Sequence, residues 1–148
     1  MELIFDNNRA DISALNAHLL ACDSQFIPLL SERVDLATYG AKLATHAERF
    51  EAWSGDRLIG LVAAYANAPE QQSIFVTNVS VTPDRHGQGI ATRLLSTFIA
   101  YARDAAFVRI TLKVDSRNER ALALYRALKF SDVAVGGTEV EMTLNLEA

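Results

Sequence analysis

Two hydrophobic periodicities alternate along the chain. Runs of β-branched and apolar residues are typical of strands, and apolar residues spaced three or four apart are typical of amphipathic helices. Strands are predicted at residues 2–6, 49–53, 57–66, 74–81, 107–114, 130–135 and 138–146. Helices are predicted at residues 11–22, 35–47, 90–102 and 118–128. This order predicts an α/β protein with helices packed on a mixed sheet.

The first third of the chain is predicted to hold two helices joined by an apolar loop. Asp11 stands where an N-cap accepts a hydrogen bond from the first turn. The loop at 26–30 is interrupted by a proline and is expected to pack or to form one side of a pocket, and residues 31–35 are expected to form a cap and turn. The first helix is expected to bury one face, made of Ile12, Leu15, Leu19 and Leu20.

The most informative stretch runs from Val79 to Thr92, where a predicted strand ends, a short loop follows and a long helix begins. Gly87 and Gly89 lack side chains, so the backbone can approach a ligand closely. The first N–H groups of a helix lack partners within the helix, and the helix dipole adds positive charge there. The stretch therefore suits a phosphate or pyrophosphate. Further positive charge could come from Arg85, His86 and Arg93.

Two known glycine motifs fit this stretch less well. No G-x-x-x-x-G-K-[ST] sequence is present, which argues against a P-loop. A dinucleotide-binding domain would use Gly87 and Gly89 with Asp115 on a ribose, but Thr92 stands in place of the third glycine. The chain is also too short for two mononucleotide-binding halves, so this alternative ranks last.

The sequence His86-Gly87-Gln88-Gly89-Ile90-Ala91, after a predicted strand, resembles the [QR]-x-x-G-x-[GA] motif of the GCN5-related N-acetyltransferase (GNAT) family. The resemblance implies a central mixed, mostly antiparallel, twisted sheet flanked by helices on both faces. It also implies acetyl-coenzyme A as co-substrate and no metal. The residues that it assigns to coenzyme binding are Val79, Ser80, Val81, His86, Gly87, Gln88, Gly89, Ile90, Ala91, Thr92 and Asn118.

A second stretch strengthens the resemblance. Residues 118–130 are similar to the family pattern N-x-x-A-x-x-L-Y-x-x-x-G-F, with Lys129 in place of the glycine, where we expect a slightly different turn. The resemblance covers residues 48–134, which are expected to form the acetyl-coenzyme A-binding core. Residues 1–47 are expected to supply helices on the acceptor side of a single domain, 1–148.

The implied activity is acetyl transfer to an amine. The amine attacks the thioester carbonyl, so the reaction needs a donor for the oxyanion, an acid for the leaving sulfur and a base for the amine. Tyr125 is the candidate acid, although an aromatic residue at that position can equally be a simple core residue. Asn118 can cap its helix, bind the coenzyme arm, or both.

No residue is assigned as the base. Thr77, followed by Asn78, stands where several family members carry a glutamate on the central strand. Other candidates are Glu48, His46 and Asp115, and for each of them a surface or capping role competes with catalysis.

The acceptor is expected to be a primary amine of a small molecule, with an amino sugar as one candidate. The pocket is expected between residues 26 and 39, with Tyr65 and residues 136–137. Glu32 could hold a cationic amine and Arg33 an anionic group. Aromatic residues that could line the pocket are Phe26, Tyr39, Trp53 and Tyr65.

Composition narrows the function classes further. The formal net charge of −4 argues against nucleic acid as a partner. No apolar run is long enough to span a membrane, and the start of the chain does not have the pattern of a signal peptide. The single cysteine, Cys22, is expected to be a packed core residue in a cytoplasmic protein. A homodimer joined through an edge strand is compatible with this fold.

The leading hypothesis is thus an acetyl-coenzyme A-dependent N-acetyltransferase. The alternative from another class is a non-catalytic acyl-coenzyme A-binding module or partner subunit, which the absent strand glutamate would favour.

Overall fold

The computed structural model describes residues 2–68 and 72–146. The sequence predicts a polar loop at residues 68–72, and most of that loop lies outside the described residues. The helices are α1 (Ile12–Cys22), α2 (Leu30–Arg33), α3 (Leu36–His46), α4 (Ile90–Asp104) and α5 (Glu119–Ala127). The strands are β1 (Leu3–Asn7), β2 (Glu48–Ser54), β3 (Arg57–Ala68), β4 (Ser73–Val81), β5 (Arg109–Asp115), β6 (Ser131–Gly136) and β7 (Glu139–Asn145).

The strands form one sheet in the order β1-β2-β3-β4-β5-β7-β6. Strands β4 and β5 run parallel, and every other neighbouring pair is antiparallel. One apolar core lies between the sheet and helices α4 and α5, around Phe98 and Leu122. A second core lies on the opposite face, where Leu15 and Leu43 pack from α1 and α3. The predicted mixed, mostly antiparallel sheet with helices on both faces is confirmed.

Side-chain caps start three of the helices where the sequence predicts them. The Asp11 carboxylate accepts a hydrogen bond from the Ala14 N–H at 2.8 Å, and the Asp35 carboxylate accepts one from the Thr38 N–H at 3.0 Å. Asn118 caps α5 in the same way. Each such cap contributes about 1 kcal/mol to helix stability.

The prediction for the buried face of α1 is partly wrong. Ile12 and Leu20 are 49% and 69% exposed, whereas His18 is buried. His18 is held by two distant groups: its Nδ1–H donates to the Leu58 carbonyl at 3.0 Å, and its Nε2 lies 2.9 Å from the Ser80 hydroxyl. With these contacts in place, α1 turns the imidazole ring of His18 toward the sheet and leaves Ile12 and Leu20 exposed. The residues that α1 buries are Leu15, His18, Leu19 and Cys22.

A second correction concerns the connection between α1 and α3. Residues 31–35 were expected to form only a cap and turn, but residues 30–33 form the short helix α2. Its first residue, Leu30, is buried in the second core, and Ser31 bonds to Asp23 through both its N–H and its hydroxyl. The burial of Leu30 and the two hydrogen bonds of Ser31 together stabilise this single turn.

A buried ion pair joins β2 to α3 and to the segment that leads into α1. Arg49 Nε donates to Glu51 at 3.1 Å, and both side chains are almost fully buried. The remaining guanidinium donors reach the carbonyls of Leu43 and Ala10, while Glu51 also accepts from the Trp53 indole N–H. Because both charges are satisfied on several sides, the pair can exist without water. It fixes the acceptor-side helices to the sheet.

Candidate active site

A cleft opens where β4 and β5 separate. The two strands pair only from Ser73 to Phe75, opposite Arg109 to Thr111. Beyond Phe75 they diverge, and a cleft of about 470 Å³ lies between them. The cleft extends from the separated strands to the loop before α4 and the first turns of α5.

Strand β4 carries an extra residue at the start of the cleft. Asn78 pairs with Ala63 and Val76 pairs with Ala64, so Thr77 has no partner of its own on β3. This β-bulge reverses the alternation of side chains along the strand. The composition of the strand carries no signal of the bulge.

The bulge turns different residues to the two faces of the sheet. Val76 and Val79 both pack on the core beneath α4, although they are three residues apart. Asn78 and Ser80 instead face the N-terminal helices, where Ser80 bonds to His18 and to Asn78.

The cleft side of β4 presents backbone groups that do not pair with β3. The N–H of Thr82 donates to the Ile59 carbonyl at 2.9 Å, which directs the even-numbered peptide groups of this stretch toward β3. The peptide groups of Val79 and Val81 therefore point away from β3, into the cleft. The Val81 carbonyl accepts hydrogen bonds there from Gln25 Nε2 and His86 Nε2, each at 2.8 Å.

The glycine loop leads directly into α4. Gly87 and Gly89 have φ angles of +78° and +74°, a conformation that side chains disfavour. A Cβ atom built on either glycine would meet no atom within 4 Å, so open space lies beside both. Gly89 is the N-cap of α4 and supplies no side-chain cap. The N–H groups of the first helical turn, residues 90–92, are thus available to an anion.

Of the two arginines predicted near the loop, one lies in the cleft and the other lies outside it. Arg85 lines the cleft and bonds to Ser54, whereas Arg93 lies over the Phe5 ring at 3.7 Å, away from the cleft. The prediction that Arg93 adds charge to this site is therefore wrong. Arg120, which sequence reasoning missed, lines the cleft and approaches His86 Nδ1 at 3.4 Å. These contacts keep His86 in the tautomer with its proton on Nε2.

Tyr125 projects from α5 and lines the cleft, with only 8% of its surface exposed. Burial raises the pKa of its phenol well above the usual value, so the group keeps its proton at neutral pH. Asn118 also lines the cleft, but its side-chain oxygen is used to cap α5.

The turn that ends α5 differs from our expectation. Lys129 has a φ of +78° and adopts the left-handed conformation that glycine takes in the family pattern. The N–H groups of Lys129 and Phe130 bond to the carbonyls of Arg126 and Tyr125, both at 3.0 Å. This is a complete Schellman motif. The turn is therefore the same one that glycine forms in the family pattern. Lys129 adopts its left-handed conformation, which is unfavourable for a residue with a side chain.

The opposite wall of the cleft comes from the segment after α1. Tyr39 does not line the cleft, but its hydroxyl donates to the Thr77 carbonyl at 3.0 Å and so supports the bulge. Trp53 and Tyr65 are core residues, and neither they nor residues 136–137 reach the cleft, contrary to expectation. The residues of this wall are Gln25, Phe26, Ile27 and Arg33.

Among the described residues, Asp115 is the one carboxylate that lines the cleft. Arg117 binds it through three hydrogen bonds, and these keep the Asp115 pKa well below its usual range. It is therefore a weak base. His46 and Glu48 line a different cleft beside Lys42, so they lie apart from the separated strands.

All of the predicted site residues come together around this one cleft, and their individual roles stay predictions. They are Val79, Ser80, Val81, His86, Gly87, Gln88, Gly89, Ile90, Ala91, Thr92, Asn118 and Tyr125. Across residues 2–68 and 72–146, no group of three or more His, Cys, Asp or Glu side chains could hold a metal ion. Within the same ranges, no helix has the length and apolar character needed to cross a membrane.

Comparison with known proteins identifies related sequences. The profile of the Acetyltransferase (GNAT) family matches residues 16–130. The chain is 32% identical over 83 residues to the L-2,4-diaminobutyric acid acetyltransferase of Methylotuvimicrobium alcaliphilum, which covers 55% of this chain and 48% of the relative. It is 30% identical over 93 residues to the rat N-acetyltransferase 8F1, covering 60% of this chain and 41% of the relative. The chain thus spans under half the length of these curated relatives.

The fold also matches solved structures. The PaiA N-acetyltransferase of Thermoplasma acidophilum, solved in complex with coenzyme A, superposes with a TM-score of 0.75 at 13% identity. The superposition covers 98% of this chain and 99% of that protein. At such low identity the likeness concerns the fold alone.

Proposed function

The chain belongs to the acetyltransferase (GNAT) family, and we propose on that premise that it transfers the acetyl group of acetyl-coenzyme A to a primary amine of a small molecule by direct attack. The observation that carries the proposal is the divergence of β4 and β5 after Phe75. It joins a free strand edge, an uncapped helix N-terminus and a buried tyrosine in one cleft.

The glycine loop fits a pyrophosphate. Gly87 and Gly89 leave open space, and the uncapped N–H groups at the start of α4 are anion donors. Arg85 and Arg120 bring positive charge to the same end of the cleft. We propose that residues 86–92 hold the pyrophosphate through their backbone, with Arg120 as a side-chain contact.

The strand edge fits the amide-containing arm of the coenzyme. The peptide group of Val79 and the N–H of Val81 point into the cleft, where an extended chain with amide groups can pair with them as a strand would. The Val81 carbonyl is already bonded to Gln25 and His86. Bound there, acetyl-coenzyme A would supply the thioester carbonyl that the amine attacks. Asn118 lies along the same wall and would contact the arm while it caps α5.

Tyr125 is the proposed acid. Its protonated phenol lies on the cleft wall, where it can donate a proton to the sulfur as the carbon–sulfur bond breaks and regain one from water after coenzyme A leaves. The raised pKa keeps that proton in place at neutral pH but makes the phenol a weaker acid. The one carboxylate that lines the described cleft, Asp115, is held by Arg117 and is a weak base. We propose that the amine reaches the cleft in its neutral form and that water takes its proton.

The acceptor is proposed to be a small molecule. Amino sugars remain candidates, and 2,4-diaminobutyrate joins them because an acetyltransferase of that compound is among the relatives. The net charge of −4 supports a small molecule over nucleic acid. Strand β6, at the edge of the sheet with every residue exposed, offers an edge through which a homodimer could form.

Calorimetry followed by an amine screen tests the proposal. We expect acetyl-coenzyme A to bind with micromolar affinity and NAD to show no binding. Release of coenzyme A in the presence of at least one amine is expected to follow. Coenzyme binding without turnover of any amine would favour the non-catalytic module, and the absence of coenzyme binding would contradict both functions.

A further inference from the structure

We propose that Arg33 binds an anionic group of the acceptor, so that the preferred substrates are primary amines that also carry a carboxylate or a phosphate. This inference rests on the proposed function and concerns the acceptor end of the same cleft. It assigns a specificity residue that neither family motif contains.

The segment that carries Arg33 is held in place. Ser31 donates its N–H and its hydroxyl to the Asp23 carboxylate, at 2.7 and 2.6 Å, and Leu30 is buried in the core. These contacts fix α2 between two helices, so Arg33 leaves the backbone from a defined position on the cleft wall. A long side chain on a fixed helix loses less entropy on binding than one on a free loop.

The charge of Arg33 lacks a protein partner within residues 2–68 and 72–146. The other arginines of the cleft do have partners: Arg85 bonds to Ser54 and Arg120 to His86. Glu32 does not line the cleft, so the alternative that it holds a cationic amine has no support from the geometry.

Arg33 also acts on the bulged part of β4. Burial raises the pKa of the Tyr39 phenol, and that rise is opposed first by its hydrogen bonds to Thr77 and Asn78 and then by the positive charge of Arg33. The guanidinium therefore lies within electrostatic range of a hydroxyl that bonds to Thr77. The positive charge of Arg33 therefore acts at the end of the cleft that is lined by the strand residues Thr77 and Asn78.

This electrostatic arrangement selects among amines. The acceptor wall has one described cation and no described carboxylate, so a simple diamine meets repulsion there. A carboxylate or phosphate can instead form paired hydrogen bonds with the planar guanidinium. The same positive charge lowers the pKa of a nearby amine and so favours the neutral form that attacks.

Two matched substrate pairs test the inference. Each pair differs only in the anionic group: 2,4-diaminobutyrate against 1,3-diaminopropane, and glucosamine 6-phosphate against glucosamine. We expect kcat/KM to favour the anionic member of at least one pair by about tenfold or more. The pair that responds distinguishes a carboxylate from a phosphate. Equal kcat/KM within both pairs would overturn this inference and leave the proposed function intact.

Substitution of Arg33 provides the second test. Arg33→Gln should lower kcat/KM for the anionic substrate by about 10- to 100-fold and change that of its neutral partner by less than about threefold. Arg33→Lys should recover part of the loss, and the neighbouring Glu32→Gln is the matched control with unchanged selectivity. Equal losses on both members of a pair would contradict the assignment. Absence of turnover with all four amines, despite coenzyme binding, would overturn this inference, and the proposed function would fall with it only if no amine of the wider screen were acetylated.

Discussion

The rings of Tyr125 and Phe130 pack edge to face, with their centroids 5.9 Å apart and their planes at 60°. Their backbones are also joined, because the Phe130 N–H donates to the Tyr125 carbonyl at 3.0 Å. The turn that ends α5 therefore holds the proposed acid from two sides. Contacts between the residues at these two positions commonly accompany a Schellman motif, and here they also orient a cleft residue.

Lys129→Gly should stabilise the protein. A left-handed conformation costs a residue with a side chain about 1–2 kcal/mol, and glycine avoids most of that cost despite its greater freedom in the unfolded chain. We expect the free energy of unfolding to rise by about 0.5–1 kcal/mol in urea titrations. Lys129→Ala is the control, since alanine keeps the Cβ and should give no such gain. An equal gain from both variants would show that the lysine chain itself, rather than the conformation, is unfavourable.

Tyr125→Phe should reduce turnover far more than coenzyme binding. Loss of a positioned acid typically lowers a rate by about 100-fold or more, while the ring and its packing on Phe130 remain. The measurement is kcat for the best amine together with the Kd for acetyl-coenzyme A. Tyr101→Phe, at a partly buried tyrosine outside the cleft, should leave both values unchanged. Equal kcat in Tyr125→Phe and wild type would exclude proton transfer from this phenol.

Gly89→Val should weaken binding of acetyl-coenzyme A by about tenfold or more, because a branched side chain would enter the open space at the start of α4 and strain a positive φ. The strain alone can be measured at Gly137, whose φ is +63° and whose surroundings are equally open. Gly137→Val should lose similar stability and keep its affinity. A matching loss of affinity in both variants would mean that the effect is one of folding.

Acid should destabilise the protein partly through His18. Burial lowers its pKa from 6.5 to about 4. Between those values the unfolded chain binds a proton that the folded chain excludes, so the free energy of unfolding falls as the pH is lowered. At 1.36 kcal/mol per pKa unit, this residue accounts for about 3 kcal/mol between pH 6.5 and 4.

The stability difference between wild type and His18→Gln measures this contribution. Urea titrations at several pH values should show the difference shrinking as the pH falls from 7 toward 4. The comparison cancels the titration of the carboxylates, which both proteins share. A difference that does not change with pH would contradict a neutral, buried His18.

Local signals predicted the elements well, and distant contacts explain where prediction failed. The caps at Asp11 and Asp35 involve residues three positions apart, so they can be read directly from the sequence. The orientation of α1 depends on bonds from His18 to Leu58 and Ser80, which are 40 and 62 residues away. No periodicity within the helix encodes those bonds.

The site was predictable to the extent that motifs cover it. Both glycines and Tyr125 belong to contiguous patterns, and the structure places them around one cleft. Arg33 and Arg120 also line it, but their importance depends on which elements lie opposite them. The divergence of β4 from β5 likewise arises from pairing between strands more than thirty residues apart, which a single sequence does not reveal.

The bulge at Thr77 has a consequence for the length of the chain. If the strand kept its length but lost the bulge, β4 would alternate regularly, and its two ends could not both keep their present faces. Either Asn78 and Ser80 would enter the apolar core, or Ile74 and Val76 would leave it. Removal of the bulged residue itself would restore the alternation with both faces unchanged, whereas an insertion or deletion at another position of the strand would turn one of its ends over. In homologous proteins, length changes within this strand should therefore be confined to the bulge.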